Sequence, residues 1–128
     1  MEIKVGMHGI AETTVERGDT AYEVGTGDLL VYATPCMVAL MEGAACNAIA
    51  DEISEDKTSV GIMLNITHIA ATPVGMDVRA EAEVTEIDGN TLTFQITAYD
   101  ESGKIGEGTH KRAIVTSQKF LDKVYSKL

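Results

Sequence analysis

Positively charged residues are scarce in this chain. Ten lysines and arginines stand against twenty aspartates and glutamates, which gives a net charge of −10. Binding to nucleic acid needs a basic surface that neutralises phosphates, so the charge balance argues against a DNA or RNA partner. It leaves room for a small nucleotide-containing molecule held by a few local cations. We interpret most of the lysines as solvated surface residues.

Long apolar runs and a secretion signal are also missing. No run approaches the ~20 residues of a membrane span, and the N-terminal MEIKVGMHGIAET lacks the basic-then-apolar plan of a signal peptide. We therefore expect a cytoplasmic protein with no membrane partner. The 128 residues, 45% of them hydrophobic, are enough for one domain, 1–128, with its own core.

Disulfide and metal chemistry have little support in the sequence. The only two cysteines, Cys36 and Cys46, lie on one predicted helix, ~15 Å apart along its axis, which is too far for a disulfide. We interpret them as small buried hydrophobes in a reducing compartment; a nucleophilic Cys36 near the helix N-terminus is the less favoured alternative. His8, His68 and His110 show no metal-ligand spacing, so no metal is expected.

One long helix dominates the first half of the sequence. Thr34 is a favourable N-cap and Pro35 suits the first helical position, so a helix is predicted from there through Ile49. Residues 2–16 resemble one or two short strands, and residues 17–28 a loop. The stretch 35–50, PCMVALMEGAACNAIA, is apolar or small except for Asn47 and the single charged residue Glu42. A helix that is apolar all round is expected to be wrapped by the rest of the fold.

After residue 57 the apolar pattern changes from period 3.6 to period 2, which predicts a meander of antiparallel strands. Turns are predicted at Asp88-Gly89 and at residues 101–103, and Ser117 is predicted to cap an amphipathic tail helix. The first strand should present one face to the helix; that face comprises Val60, Ile62, Leu64, Ile66, His68 and Ala70. The later strands are predicted at 76–87, 91–99 and 105–116.

Together these elements predict an α+β fold in which an antiparallel sheet wraps around one long central helix. Such a sheet has unpaired edge strands and leaves the apolar helix incompletely covered. We therefore expect a homodimer or a higher homo-oligomer.

Two titratable residues are predicted to point into the same core. Glu42 interrupts the apolar helix, and an unpaired buried carboxylate is costly, so it should have a partner or a raised pKa. His68 lies on the strand face that meets the helix. Thr34 adds a hydroxyl at the positive end of the helix dipole. It is eight residues from Glu42, or ~12 Å along a helix, so the two share a site only through a substrate or a second subunit.

The stretch from Val24 to Arg112 resembles the fluoroacetyl-CoA thioesterase family, a group with the hot-dog fold. The similarity runs through VGTGDLLVYATPCMVALMEGAA, TSVGIMLNITHIAATPVG and IGEGTHKRAIV. It implies a homodimer that hydrolyses an acyl-CoA thioester without a cofactor, CoA being part of the substrate. The catalytic set that the resemblance implies is Thr34, Glu42 and His68.

The resemblance also implies that the Gly61 N–H helps to hold the carbonyl oxygen and that Arg112 assists substrate binding. One departure concerns the acyl group. The fluoroacetyl-specific enzyme carries phenylalanines that form a lid before the helix, whereas YEVGTGDLLVY here has only Tyr22 and Tyr32. A short-chain acyl-CoA thioesterase is the leading hypothesis. The alternatives are an acyl-thioester hydratase or dehydratase and a non-catalytic binder of CoA or an acyl ligand.

Overall fold

The computed structural model describes residues 2–128, which form one antiparallel sheet with a long helix across one of its faces. The strands are β1 (His8–Thr14), β2 (Lys57–His68), β3 (Asp77–Asp88), β4 (Thr91–Asp100) and β5 (Gly103–Thr116). The helices are α1 (Ala21–Val24), α2 (Thr34–Ile49) and α3 (Ser117–Tyr125), with short 3-10 turns at Arg17–Asp19 and Ala50–Glu52.

The strands are ordered β1-β3-β4-β5-β2, so β1 and β2 form the two edges of the sheet. Helix α2 packs chiefly against β1 and β3 and touches β2 only sparsely. Gly9 permits the close approach on β1, because a Cβ there would lie 2.4 Å from the Ala48 nitrogen. The predicted combination of one long helix and an antiparallel sheet is confirmed.

The core is built by strict alternation on β3 and β4. The side chains that face α2 are buried; they are Val78, Ala80, Ala82 and Val84 on β3 and Leu92, Phe94, Ile96 and Ala98 on β4. This confirms the period-2 apolar pattern predicted for this part of the chain, because a sheet with one dry face requires period-2 burial. The β3–β4 turn falls at Gly89-Asn90, one residue later than predicted, and Gly89 takes the left-handed φ of 59°.

Strand β2 departs from the alternation predicted for it. Gly61 pairs with Arg112 and Met63 with Lys111, so Ile62 is an extra residue in a β-bulge. The bulge moves the inward face by one position, since opposed residues on paired strands point to the same side. Leu64 and His68 therefore face inward as predicted, but before the bulge the inward residue is Gly61, and Val60 and Ile62 leave the predicted face.

Two local predictions are wrong. Residues 17–28 form a 3-10 turn and the single-turn helix α1, whose N-cap Thr20 accepts a hydrogen bond from the Glu23 N–H. Ser117 does not cap α3: it is the first helical residue, and its N–H donates to the Asp56 carbonyl. The tail helix itself is confirmed, and its apolar residues Phe120 and Leu121 are exposed.

Helix α2 is buried along one face only. Its buried residues are Met37, Met41, Ala44, Ala45 and Ile49. The expectation that the fold wraps the helix on every side is therefore not met within a single chain. Strands β1 and β3 cover one face of the helix, whereas the side of the helix toward β2 makes few contacts with the sheet.

Candidate active site

The first polar cluster lies at the N-terminus of α2, where Thr34 meets His68 at the end of β2. A hydrogen bond of 2.7 Å joins Thr34 Oγ1 to His68 Nδ1. The prediction of Thr34 as N-cap is wrong, because the residue before the first helical turn is Ala33, with extended backbone angles. The hydroxyl of Thr34 is thereby available to the histidine instead of the helix backbone.

His68 is held in a form suited to accept a proton. Burial lowers the pKa of its imidazole, and a backbone contact with Ala70 opposes that shift more weakly. The ring is therefore neutral at neutral pH. Its other nitrogen, Nε2, is buried and has no hydrogen-bond partner among residues 2–128. A hydroxyl paired with a neutral imidazole is the arrangement that activates an oxygen nucleophile.

A pocket of about 340 Å³ opens beside this pair. Helix α1 and the segment after β2 form its walls. The lining is mostly small and apolar; it consists of Ala21, Thr26, Val31, Tyr32, Thr34, His68, Ile69, Ala70 and Ala71. The pocket has room for a small apolar group beside the Thr34 hydroxyl.

The second polar cluster centres on Glu42, in the middle of α2. Its Oε2 accepts a 3.0 Å hydrogen bond from the NH1 group of Arg112 on β5. The expected partner is thus present. The expectation of burial is not met, because the Glu42 side chain is 40% exposed while that of Arg112 is 9% exposed. The sparse packing of α2 against β2 explains the difference, since it leaves part of the Glu42 side chain open to solvent.

Gly61 lies directly against the Glu42 carboxylate. A Cβ at this position would lie 2.6 Å from Glu42 Oε2, so no larger residue fits without displacing the carboxylate. The bulge at Ile62 brings Gly61 to the inward face, opposite Arg112. A second pocket of about 250 Å³ lies over these groups, between α2 and β2.

His110 belongs to this cluster and is missing from the sequence-predicted set. Its Nε2 lies 3.2 Å from Arg112 NH1 and 3.7 Å from Glu42 Oε2. Sequence spacing gives one signal that could have found it: His110 and Arg112 are two positions apart on one strand and therefore share a face. His110 is far from His8 and His68 in the sequence, which argues against a metal-binding motif but does not show that His110 lies near Glu42.

The two clusters are separate within one chain. Thr34 and His68 are joined, and Glu42, Gly61 and Arg112 are joined, but eight helical residues, ~12 Å of rise, separate Thr34 from Glu42. One protomer therefore does not bring the predicted catalytic set together. Cys36 adds no nucleophile, because burial raises the pKa of its thiol and the nearby Asp19 raises it further.

Comparisons with known proteins identify relatives of this chain. A family model described as fluoroacetyl-CoA-specific thioesterase matches residues 15–118. A fluoroacetyl-CoA thioesterase of Streptantibioticus cattleyicolor is 40% identical over 97 residues, 76% of this chain and 70% of the relative. Among the described residues, no helix is long and apolar enough to cross a membrane.

Solved structures match over the whole length of the chain. A structure of a fluoroacetyl-CoA thioesterase superimposes with a TM-score of 0.93 and 32% identity, covering 100% of this chain and 99% of the other. A threonine-to-serine variant of such an enzyme, in complex with acetyl-CoA, gives a TM-score of 0.90, 32% identity and 98% coverage of both chains. These matches confirm the fold that the sequence resemblance implied.

Proposed function

The chain belongs to the fluoroacetyl-CoA-specific thioesterase family, and from that premise we propose that it hydrolyses short-chain acyl-CoA thioesters to CoA and the free acid. The observation that carries the proposal is the neutral Thr34–His68 pair beside a small apolar pocket. The acetyl-CoA complex of a similar enzyme supports a short acyl group. The net charge of −10 favours this small-molecule partner over nucleic acid.

The reaction assigns a part to each group. An oxygen nucleophile, either the Thr34 hydroxyl or a water, gives its proton to a base and forms a bond to the thioester carbonyl carbon. The Gly61 N–H stabilises the oxyanion that develops on the carbonyl oxygen. The C–S bond then breaks and CoA leaves as a thiolate, which needs little acid assistance. With Thr34 as nucleophile, a water subsequently hydrolyses the acyl-enzyme; with water as nucleophile, the acid forms directly.

Glu42 and Arg112 complete the site electrostatically. The guanidinium holds one carboxylate oxygen of Glu42, which restricts the direction of the carboxylate. A fixed carboxylate can orient a water or support the charge that forms on a histidine. Arg112 lies under Glu42 and is nearly buried, so its part in substrate binding acts through this carboxylate.

The proposed active unit is a homodimer whose sites combine both clusters. Strand β2 is an edge strand with no neighbour on its outer side within residues 2–128. It carries exposed apolar side chains, Ile62 at 53% and Leu64 at 37%. An edge strand with this composition favours pairing with another copy. Such pairing would also cover the open side of α2.

An antiparallel β2–β2 pair centred on Asn65 satisfies the alternation of both strands. It places Leu64 opposite Ile66 of the partner subunit and His68 opposite the bulge at the partner's Gly61. The Thr34–His68 pair of one chain then lies beside the Glu42 cluster of the other. This arrangement is a composite site, in which a second subunit overcomes the ~12 Å separation of Thr34 and Glu42 on a single helix.

Cross-linking tests the register of this dimer. Asn65→Cys should form a disulfide-linked dimer under mild oxidation, because in this register the two substituted side chains would lie directly opposite each other across the two-fold axis, about 4.5 Å apart at Cβ in a non-hydrogen-bonded pair. Ser102→Cys, in an exposed turn away from β2, is the matched control and should stay unlinked, as should the wild type with Cys36 and Cys46. A monomeric wild type with full activity would exclude both the dimer and the composite site.

A panel of thioesters tests the activity itself. We expect release of free CoA thiol from acetyl-, propionyl- or butyryl-CoA. A new enoyl absorbance without thiol release would identify a hydratase or dehydratase, and thermal stabilisation by CoA with neither activity would identify a binder. The two free cysteines are consistent with the reducing cytoplasm that the proposal includes. The proposal does not include selectivity for fluoroacetyl-CoA. The only aromatic residues in the segment before the helix do not replace the lid phenylalanines, because Tyr22 is exposed and the Tyr32 hydroxyl donates to the Cys36 carbonyl.

A further inference from the structure

The hydrogen bonds of His110 determine which ring nitrogen carries its proton. Nδ1 lies 2.8 Å from the Met63 carbonyl oxygen, which can only accept a hydrogen bond, so Nδ1 carries the hydrogen. Nε2 lies 3.2 Å from NH1 of Arg112, which can only donate, so Nε2 presents its lone pair. Only the neutral Nδ1–H imidazole satisfies both contacts.

Arg112 is fixed by this lone pair together with three other acceptors. Its Nε donates to Ser59 Oγ at 2.8 Å and its NH2 to the Ser59 carbonyl at 3.0 Å. The two hydrogens of NH1 go to Glu42 Oε2 and to His110 Nε2. Removing the histidine acceptor would leave one Nη1 hydrogen buried without a partner, a cost that a shift of the guanidinium toward another acceptor would reduce.

Glu42 is held at one oxygen only. Arg112 engages Oε2, and Oε1 has no hydrogen-bond partner among residues 2–128. The direction in which Oε1 points therefore depends on the position of Arg112 NH1. We propose that His110 is a positioning residue for thioester hydrolysis: as a neutral Nδ1–H imidazole it fixes Arg112 and so aims the Glu42 carboxylate. The proposal rests on the proposed function for its kinetic consequences but not for its tautomer.

The surroundings of His110 favour the neutral ring on balance. Phe94 on β4 stacks on it with the ring centroids 6.0 Å apart, and the side chain of His110 is only 1% exposed. Burial is the main cause that lowers the pKa of His110; the Arg112 cation lowers it further, whereas the Met63 carbonyl and Glu42 oppose the shift. A proton on Nε2 would face the guanidinium and displace it from the histidine.

Two substitutions separate positioning from packing. His110→Asn keeps a donor near the Nδ1 position but cannot reach Arg112, whereas His110→Gln can place its amide oxygen near the Nε2 position. We expect His110→Asn to lower kcat about 10- to 100-fold, the scale of a misdirected catalytic group, with little change in KM. His110→Gln should recover most of the loss. Val84→Ala, a truncation at a fully buried site on β3, is the control that lowers Tm without lowering kcat.

The double variant with Glu42→Gln supplies the decisive kinetic readout. If His110 acts through Glu42, adding His110→Asn to Glu42→Gln should cause no further loss of kcat. Losses that multiply, or a His110→Gln variant as impaired as His110→Asn, would overturn the proposal.

Nitrogen NMR tests the tautomer without any assay of activity. Ring nitrogen shifts of the wild type at pH 7, assigned by comparison with His110→Gln, should show a protonated Nδ1 and an unprotonated Nε2. An Nε2–H tautomer or an imidazolium would overturn the proposal even if every variant folds poorly. Absence of thioesterase activity in the wild type, with the expected tautomer present, would instead count against the proposed function alone.

Discussion

Helix α2 and strand β2 contribute to both polar clusters of this chain, yet the two clusters differ in construction. At one end of α2, Thr34 and His68 share one hydrogen bond, carry no charge and leave Nε2 of the histidine without a partner. Near the middle of α2, Glu42 is held by Arg112, a charged residue that Ser59 and His110 fix from two strands. The first cluster has a free hydrogen-bonding group for a further ligand, whereas the groups of the second are already joined by an ion pair and hydrogen bonds.

This difference follows from what each cluster has to hold. A charged group loses hydration as it is covered, so a carboxylate beside a sheet is stabilised by a fixed cation. A neutral hydroxyl–imidazole pair has no such requirement and can remain incomplete until substrate arrives. The two clusters lie at different points along α2 and β2. An antiparallel β2–β2 pair in a two-fold dimer would therefore bring the Thr34–His68 cluster of one subunit next to the Glu42 cluster of the other.

Substitutions in the two clusters should have the largest effects on turnover. Glu42→Gln should lower thioester hydrolysis at least ~100-fold with the fold retained, and His68→Ala should do the same. In the double variant the two losses should not multiply, because groups of one site act as a unit. Steady-state kinetics with circular dichroism as a folding control measure this. Fully additive logarithmic losses would show that the clusters work independently.

Mixing inactive subunits tests whether the clusters meet across a dimer. Thr34→Val and Glu42→Gln each remove one cluster, so a heterodimer should regain about one wild-type site, formed by the two unaltered clusters. Activity is measured after co-refolding the two variants, with each variant refolded alone as the control. A mixture that remains as inactive as its components would place both clusters in one subunit.

Gly61→Ala should disturb only the charged cluster. The added Cβ would lie 2.6 Å from Glu42 Oε2, so the carboxylate must move and kcat should fall about 10- to 100-fold. Gly43→Ala on α2 is the matched control, since its nearest contact would be an ordinary 3.8 Å to Ala11. Equal kinetics for the two variants would remove Gly61 from the site.

The pH dependence should distinguish the neutral cluster from the charged one. Burial lowers the pKa of His68 below its ordinary 6.5, and only the neutral ring can accept a proton. The rate should therefore be flat from about pH 6.5 to 8 and fall below that, about tenfold per pH unit beneath the lowered pKa. Stability should fall in the same direction, because the unfolded chain binds the proton more readily. A rate that does not change from pH 5 to 9 would exclude a histidine base.

Much of the fold was predictable because the spacing of apolar residues along a segment indicates which side chains are buried. The alternation on β3 and β4 agrees with the buried residues of both strands, and the apolar stretch with Pro35 near its start identified α2. The extra residue in β2 was not predictable, because Ile62 continues the apolar alternation of Val60 and Leu64. Only its pairing with β5 shows that Gly61, opposite Arg112, is the inward residue.

The amino-acid sequence by itself determined the long helix, the meander and the candidates Thr34, Glu42 and His68, because residue type and spacing suffice for these. The tertiary structure decided which groups touch. It pairs Thr34 with a histidine 34 residues away instead of the helix backbone, and Glu42 with an arginine 70 residues away. It also brings His110 to the same carboxylate. Such contacts depend on how separate elements are placed against one another, and the periodicity of a single segment does not specify that placement.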